Sequence, residues 1–154
     1  MKDPKKPNTT VATNRRARYD YHILDTLEAG MVLVGSEVKS LRDGKCSLDG
    51  SYVSVQDGEL WLTGVHIDEY KNAVKYLTYN PKQKRKLLVH KRERRRFAEK
   101  SMEKGLTIVP LSIYFNSKGI AKCEIAVVKG KKEHDKRQSE KTKSARREMR
   151  GENE

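Results

Sequence analysis

The chain has 154 residues, enough for one domain with tails, and its 34 Lys and Arg against 21 Asp and Glu give a formal net charge of +13. That excess points to a polyanionic partner, because each cation that neutralises a phosphate releases condensed counterions. No apolar run approaches the roughly 20 residues of a membrane span, residues 1–10 lack the apolar centre of a signal peptide, and Cys46 and Cys123 have no metal-ligand spacing; a reducing cytoplasm is the expected home.

The charge is unevenly placed. Residues 1–18 carry six basic residues and one acidic residue, with Pro4, Pro7 and no apolar periodicity, and read as a basic flexible arm. Residues 19–27 alternate loosely, and Tyr19, Tyr21 and Ile23 favour a strand. Met31, Val34, Val38 and Leu41 recur with a helical period, which predicts a helix of about three turns stopped by Gly44. Glu37, Lys39 and Arg42 point away from its apolar face. Residues 52–55 and 60–65 flank Asp57-Gly58, a pair suited to the positive φ values of a type I′ hairpin. Residues 70–79 read as a loop or irregular strand that Pro81 ends.

Residues 82–104 hold eleven basic against three acidic residues. Within them 87–89 is a short apolar strand, and 91–104 a helix with Phe97, Ala98 and Met102 as its apolar anchors and Gly105 as its stop. Residues 106–115 and 120–128 are β-rich and flank Asn116-Ser117-Lys118-Gly119, a second hairpin. In the last strand Ala121, Cys123, Ile125 and Val127 share one face, and Lys122 and Glu124 the other. From Lys129 onward there are ten basic residues and only Ala145 and Met149 as apolar ones, so this segment is expected to be disordered alone and to fold, if at all, against a partner.

The organisation expected is a basic arm over 1–18, a domain over 19–128 and a basic tail over 129–154. Five or six short strands in hairpins with two or three helices predict a mainly β domain. A small barrel of the oligonucleotide-binding type fits, and other antiparallel α+β folds stay open. The four histidines, His22, His66, His90 and His134, are scattered, and there is no Gly-rich phosphate loop or metal motif. A non-enzymatic protein with no cofactor and no metal is expected.

Several blocks then stand in a recognisable order. Residues 14–21 read NRRARYDY, 28–30 EAG, 35–42 GSEVKSLR, 49–53 DGSYV, 85–88 RKLL after Asn80-Pro81, 105–111 GLTIVPL, and 129–137 KGKKEHDKR. Together they resemble the tmRNA-binding protein family, also called SsrA-binding protein or small protein B. The sequence departs from the family in two places. Gln83 stands where an additional Arg is common, and residues 138–144 lack the branched aliphatic residue usual in the tail. The resemblance implies an oligonucleotide-binding-like barrel with flanking helices and a tail that becomes helical on the ribosome. It implies binding to the tRNA-like domain of tmRNA and delivery of alanyl-tmRNA to stalled ribosomes. The tail then probes the empty mRNA path from the small-subunit decoding centre, and an elongation factor is met only indirectly, through tmRNA.

Candidate tmRNA-binding residues follow. Asn14, Arg16 and Arg18 are either solvated charge or a clamp on an RNA backbone. Glu28 is either a carboxylate at a helix N-terminus or an acceptor for RNA donors. Glu37, Lys39 and Arg42 form either local ion pairs or an RNA-facing helix surface. Arg85, Lys86 and Lys122 complete the set. In the tail, Lys129, Lys131, Lys132, Lys136 and Arg137 surround His134 and Asp135, with Lys141, Lys143, Arg146 and Arg147 beyond. By the resemblance, His134 stacks on a base of the decoding centre. The competing reading is a basic ribosomal or initiation-factor-like protein that binds ribosomal RNA directly.

Overall fold

The computed structural model describes residues 8–71 and 79–131. Residues 72–78 of the loop or irregular strand expected over 70–79, the tail from 132 and residues 1–7 lie outside them.

The order of elements is β1 (Thr9–Thr13), α1 (Arg15–Asp20), β2 (Tyr21–Met31), α2 (Gly35–Arg42), β3 (Cys46–Ser47), β4 (Tyr52–Gln56), β5 (Glu59–Thr63), β6 (His66–Ile67), β7 (Arg85–Leu88), α3 (Lys91–Ser101), β8 (Leu106–Phe115) and β9 (Ala121–Gly130). The chain is mainly β with few helices, and among the described residues no helix is long and apolar enough to cross a membrane. Seven strands pair in the order β1-β8-β4-β5-β7-β2-β9, and β9 pairs back with β8; β3 and β6 form a separate ribbon. Every pairing is antiparallel.

Both predicted hairpins form. Asp57 (φ 52°) and Gly58 (φ 74°) are both left-handed, as a type I′ turn requires, and β4 and β5 pair from Tyr52↔Thr63 to Gln56↔Glu59. The inward side of the sheet gathers Leu27, Ala29, Leu60, Leu62, Leu87, Ile108, Ile113, Cys123, Ile125 and Val127, with Leu41 from α2 and Phe97 from α3. Each fully buried Leu, Ile or Phe stabilises the fold by about 1.5–3 kcal/mol relative to exposure.

The boundaries differ from expectation at four points. First, residues 9–18 are a strand and most of a helix, not part of an arm, and Tyr19 and Asp20, expected in a strand, complete that helix. Thr9–Thr13 adds to the edge of β8, and Asn14 N–H donates to Leu111 O at 2.7 Å. Ala17 is buried against Val109, Leu111, Ala126 and Val128. Those last two residues show that β9 is buried on both faces over its second half, because α1 covers the outer one. Second, α2 starts at Gly35. Met31 belongs to β2, Val34 is half-exposed, and Glu37 is turned inward rather than away from the core. Third, α3 ends at Ser101 with Phe97 as its one buried residue, and Met102 is 87% exposed. Fourth, Lys129 and Gly130 extend β9, paired with His22 and Tyr21, and Lys131 N–H donates to Asp20 O at 2.8 Å. Residues 129–131 therefore belong to the body and not to the tail, since their backbone groups are taken up by β2 and α1.

Candidate nucleic-acid interface

Residues paired across a sheet point to the same side, so the register defines the outward surface. One row runs Leu88–Gly30–Lys122–Tyr114 across β7, β2, β9 and β8. The next runs Glu28–Glu124–Ser112–Thr13, which brings the start of α1 and Asn14 to its end. Lys86, two residues before Leu88, faces the same way beside Trp61.

Glu28 is thus on a strand, not at a helix N-terminus, and is exposed. Its carboxylate Oε2 accepts a short hydrogen bond from the Tyr114 hydroxyl, whose ring lies across β9. Burial, then the bond to Glu28, push the Tyr114 pKa well above the ordinary tyrosine value, so the hydroxyl is a fixed donor at neutral pH. Glu124 stands directly opposite Glu28, a like-charge pair that is unfavourable unless donors approach. Gly30 lies beside them, packed under Leu88. A Cβ there would come within 3.4 Å of Leu88 Cβ, and Leu88 is itself 52% exposed. The surface therefore combines carboxylate acceptors, the cations Lys122 and Lys86, and the apolar or aromatic faces of Leu88 and Trp61. Carboxylates accept from base or ribose donors, cations meet phosphates, and apolar faces stack against bases.

Asn14 is anchored at the edge of this surface, with Nδ2 donating to Pro110 O at 2.9 Å. Arg16 and Arg18 are exposed on α1, Arg16 with a loose 3.9 Å pair to Asp20. Lys131 Nζ donates to Arg18 O at 2.9 Å, tying the end of β9 to α1. Lys39 lies over the Tyr70 ring at 5.4 Å and Arg42 over Phe115 at 5.0 Å, so both are exposed cations backed by aromatic rings.

Arg85 and Glu37 are elsewhere. Their side chains are each about 1% exposed, and Arg85 donates to Glu37 Oε2 from Nε (2.8 Å) and Nη2 (2.6 Å). Arg85 Nη1 donates to Val65 O at 2.6 Å, and Nη2 to Pro81 O at 2.8 Å and to the Tyr79 hydroxyl at 3.2 Å. Glu37 Oε1 accepts the Val34 N–H at 3.1 Å, at the start of α2. Burial, then the Glu37 carboxylate, push the Tyr79 hydroxyl up to about 12. Arg85 and Glu37 thus join α2, β7 and the segments after β5 and before β7. They do not present charge to a ligand, because their groups are already satisfied inside.

Two more residues of this site, the exposed Leu88 and the buried Tyr114 that holds Glu28, escape a reading of the sequence. The Leu87-Leu88 pair within one short strand was the available signal, since alternation forces one of the two outward. Burial pushes the Cys46 thiol up to about 11 and Cys123 higher still, which disfavours the thiolate at both. Among the described residues no group of three His, Cys, Asp or Glu could hold a metal ion.

A mainly β body with an outward surface of mixed acceptors, cations and apolar faces defines a class of small basic binding proteins. Comparison with known proteins makes the assignment specific. The family described as "SmpB protein" matches residues 11–154. An SsrA-binding protein of Rhodopirellula baltica is 50% identical over 143 residues, covering 92% of this chain and 81% of its own length. One from Nocardia farcinica is 51% identical over 144 residues, covering 94% and 89%. A solved structure described as "tmRNA-SmpB: a journey to the center of the bacterial ribosome" superposes with a TM-score of 0.67 at 49% identity, over 83% of this chain and 87% of that one. The chain belongs to the SmpB protein family.

Proposed function

We propose that this protein binds tmRNA through its tRNA-like domain and carries alanyl-tmRNA to ribosomes stalled without a codon in the decoding site. It is a binding protein of trans-translation and not an enzyme, as its family membership implies. The body holds the RNA, and residues 132–154, led by His134, Asp135, Lys136 and Arg137, probe the empty mRNA path in the cytoplasm. The ring of pairings from β8 through β4, β5, β7, β2 and β9 back to β8 supports reading the body as a closed barrel of the oligonucleotide-binding type.

The observation that carries the tmRNA reading is the outward surface of Glu28, Lys122 and Leu88, with the buried Tyr114 hydroxyl holding Glu28 from beneath, in a chain half identical to proteins named SsrA-binding protein. The test is binding to the tRNA-like domain of tmRNA against ribosomal RNA fragments of equal length. Tight, salt-sensitive binding to the former is expected, reduced in Glu28→Ala and Lys122→Ala proteins that still unfold at the wild-type midpoint. Equal binding to every structured RNA would reject the reading in favour of a general ribosomal RNA binder.

A further inference from the structure

The helix α3 carries six cations, and the structure divides them into two groups. Arg94 Nη1 pairs with Glu59 at 3.2 Å, Arg96 Nε with Asp25 at 2.9 Å, and Lys100 Nζ with the same Asp25 oxygen at 3.1 Å. These three fasten α3 to β5 and β2 on either side of its one buried residue, Phe97. Lys91, Arg92 and Arg95 are exposed and have no ion-pair or hydrogen-bond partner among the described residues. At 100° per residue they lie on the side of the helix opposite Phe97.

Two of the three sit where a helix tolerates them least. Lys91 and Arg92 occupy the first two positions of α3, at the positive end of its dipole, where cations are unfavourable. Only Glu93, whose Oε1 accepts the His90 N–H at 3.1 Å, offsets this locally. An arrangement that is locally unfavourable in the free protein is the kind of inconsistency expected at a binding site, here one that awaits anions. The free cations also continue the surface already described. Lys91 follows Leu88 by three residues, a reach of at most about 11 Å, and Lys86 and Leu88 lead to it along β7.

We propose that Lys91, Arg92 and Arg95 form an extension of the tmRNA interface that holds the phosphate backbone of the RNA seated over Leu88 and Lys122, while Arg94, Arg96 and Lys100 serve the fold alone. This rests on the tmRNA reading above. The interface then has two parts: acceptors and the exposed apolar Leu88 on the sheet, and a backbone clamp on the helix.

The experiment measures affinity for the tRNA-like domain of tmRNA against salt concentration. It compares the wild type, a Lys91→Gln/Arg92→Gln/Arg95→Gln protein and an Arg94→Gln/Lys100→Gln protein. Gln keeps helix propensity close to that of Lys and Arg. The first variant should keep the wild-type unfolding midpoint, bind at least about tenfold more weakly at low salt, and show a log–log salt slope shallower by roughly 2–3. The second should unfold earlier and keep the wild-type slope. A single Arg95→Ala protein should lose roughly one unit of slope, which guards against a fold defect in the triple variant. Wild-type slope and affinity in the triple variant would overturn the proposal and leave the tmRNA reading intact. Losses of slope in the two variants proportional to the three and two charges removed would show that only total charge matters, which also overturns it. Loss of peptide tagging on ribosomes with tmRNA binding unchanged would assign the helix face to ribosomal RNA instead. Failure of the wild type itself to prefer tmRNA would remove the underlying reading.

Discussion

At the scale of single residues, two buried or half-buried hydrogen-bonded groups have different tasks. Tyr114 holds one oxygen of Glu28 and leaves the other free, opposite Glu124. Tyr114→Phe should leave the fold in place and weaken tmRNA binding roughly fivefold, the scale of about 1 kcal/mol for one net hydrogen bond. In a Glu28→Gln background the same change should add little, because the carboxylate it orients is gone. Titration of labelled RNA against the four proteins measures this coupling, and fully additive losses would refute it. Arg85 is the opposite case. Its removal leaves Glu37 charged and buried, and strips donors from the Val65 and Pro81 carbonyls. Arg85→Ala should therefore cost roughly 3–5 kcal/mol in urea unfolding, and any loss of RNA binding should vanish under conditions where the variant is fully folded. A loss below about 1 kcal/mol would mean that the network does not hold α2 and β7 together.

At the scale of elements, α3 is held by few contacts, so its ion pairs should leave a pH signature. Burial alone would raise the pKa of Asp25. The hydrogen bond from Lys100 and the charges of Arg96 and Lys100 outweigh that effect and hold it below the ordinary value of 3.8. A carboxylate with a depressed folded-state pKa contributes stability above its unfolded pKa and loses it as the pH falls through the folded value. The unfolding midpoint of the wild type should therefore drop more steeply than that of Asp25→Asn as pH falls below about 4, and parallel acid limbs would contradict the assignment. This tertiary pairing was not legible in the sequence, because Asp25 and Lys100 are 75 residues apart. The hairpins were legible, since Asp57-Gly58 states its own backbone geometry locally. The strand at Thr9–Thr13 was hidden because its partner, β8, lies about a hundred residues on and the segment has no periodicity of its own. Glu37 reads as outward from the sequence, as charges rarely go inside unpaired; the cation that pairs with it, Arg85, is 48 residues away. Of the surface residues, Glu28 and Lys122 were identified, but the register that brings them together with Leu88 and Tyr114 could not be read from spacing.

At the scale of the whole molecule, the body and the segment beyond it can be separated, and the point of separation is structural. Lys129 and Gly130 are paired with His22 and Tyr21, and Lys131 is bonded to Asp20 and Arg18 on α1. A chain ending at Val128 would lose these contacts, whereas one ending at Lys131 would keep them. The removed residues 132–154 contain only Ala145 and Met149 as apolar side chains, too few to supply a core. The protein ending at Lys131 should thus unfold like the full chain, and the one ending at Val128 should be less stable by roughly 1–3 kcal/mol, the scale of a few backbone hydrogen bonds. Both should bind tmRNA when folded, because Glu28, Lys122, Leu88 and the free cations of α3 are all retained. Neither should support peptide tagging on stalled ribosomes, since the residues proposed to enter the mRNA path are gone. Replacing His134, Asp135, Lys136 and Arg137 with Ala in the full chain should separate the same two steps without shortening it: tmRNA affinity within about twofold of wild type, and peptidyl transfer to alanyl-tmRNA strongly reduced. The truncation that ends at Lys131 is the decisive comparison. If it unfolds early, residues 132–154 stabilise the body; if it supports tagging at the wild-type rate, the mRNA path is sensed by the body alone, and the division between holding tmRNA and probing the ribosome does not exist.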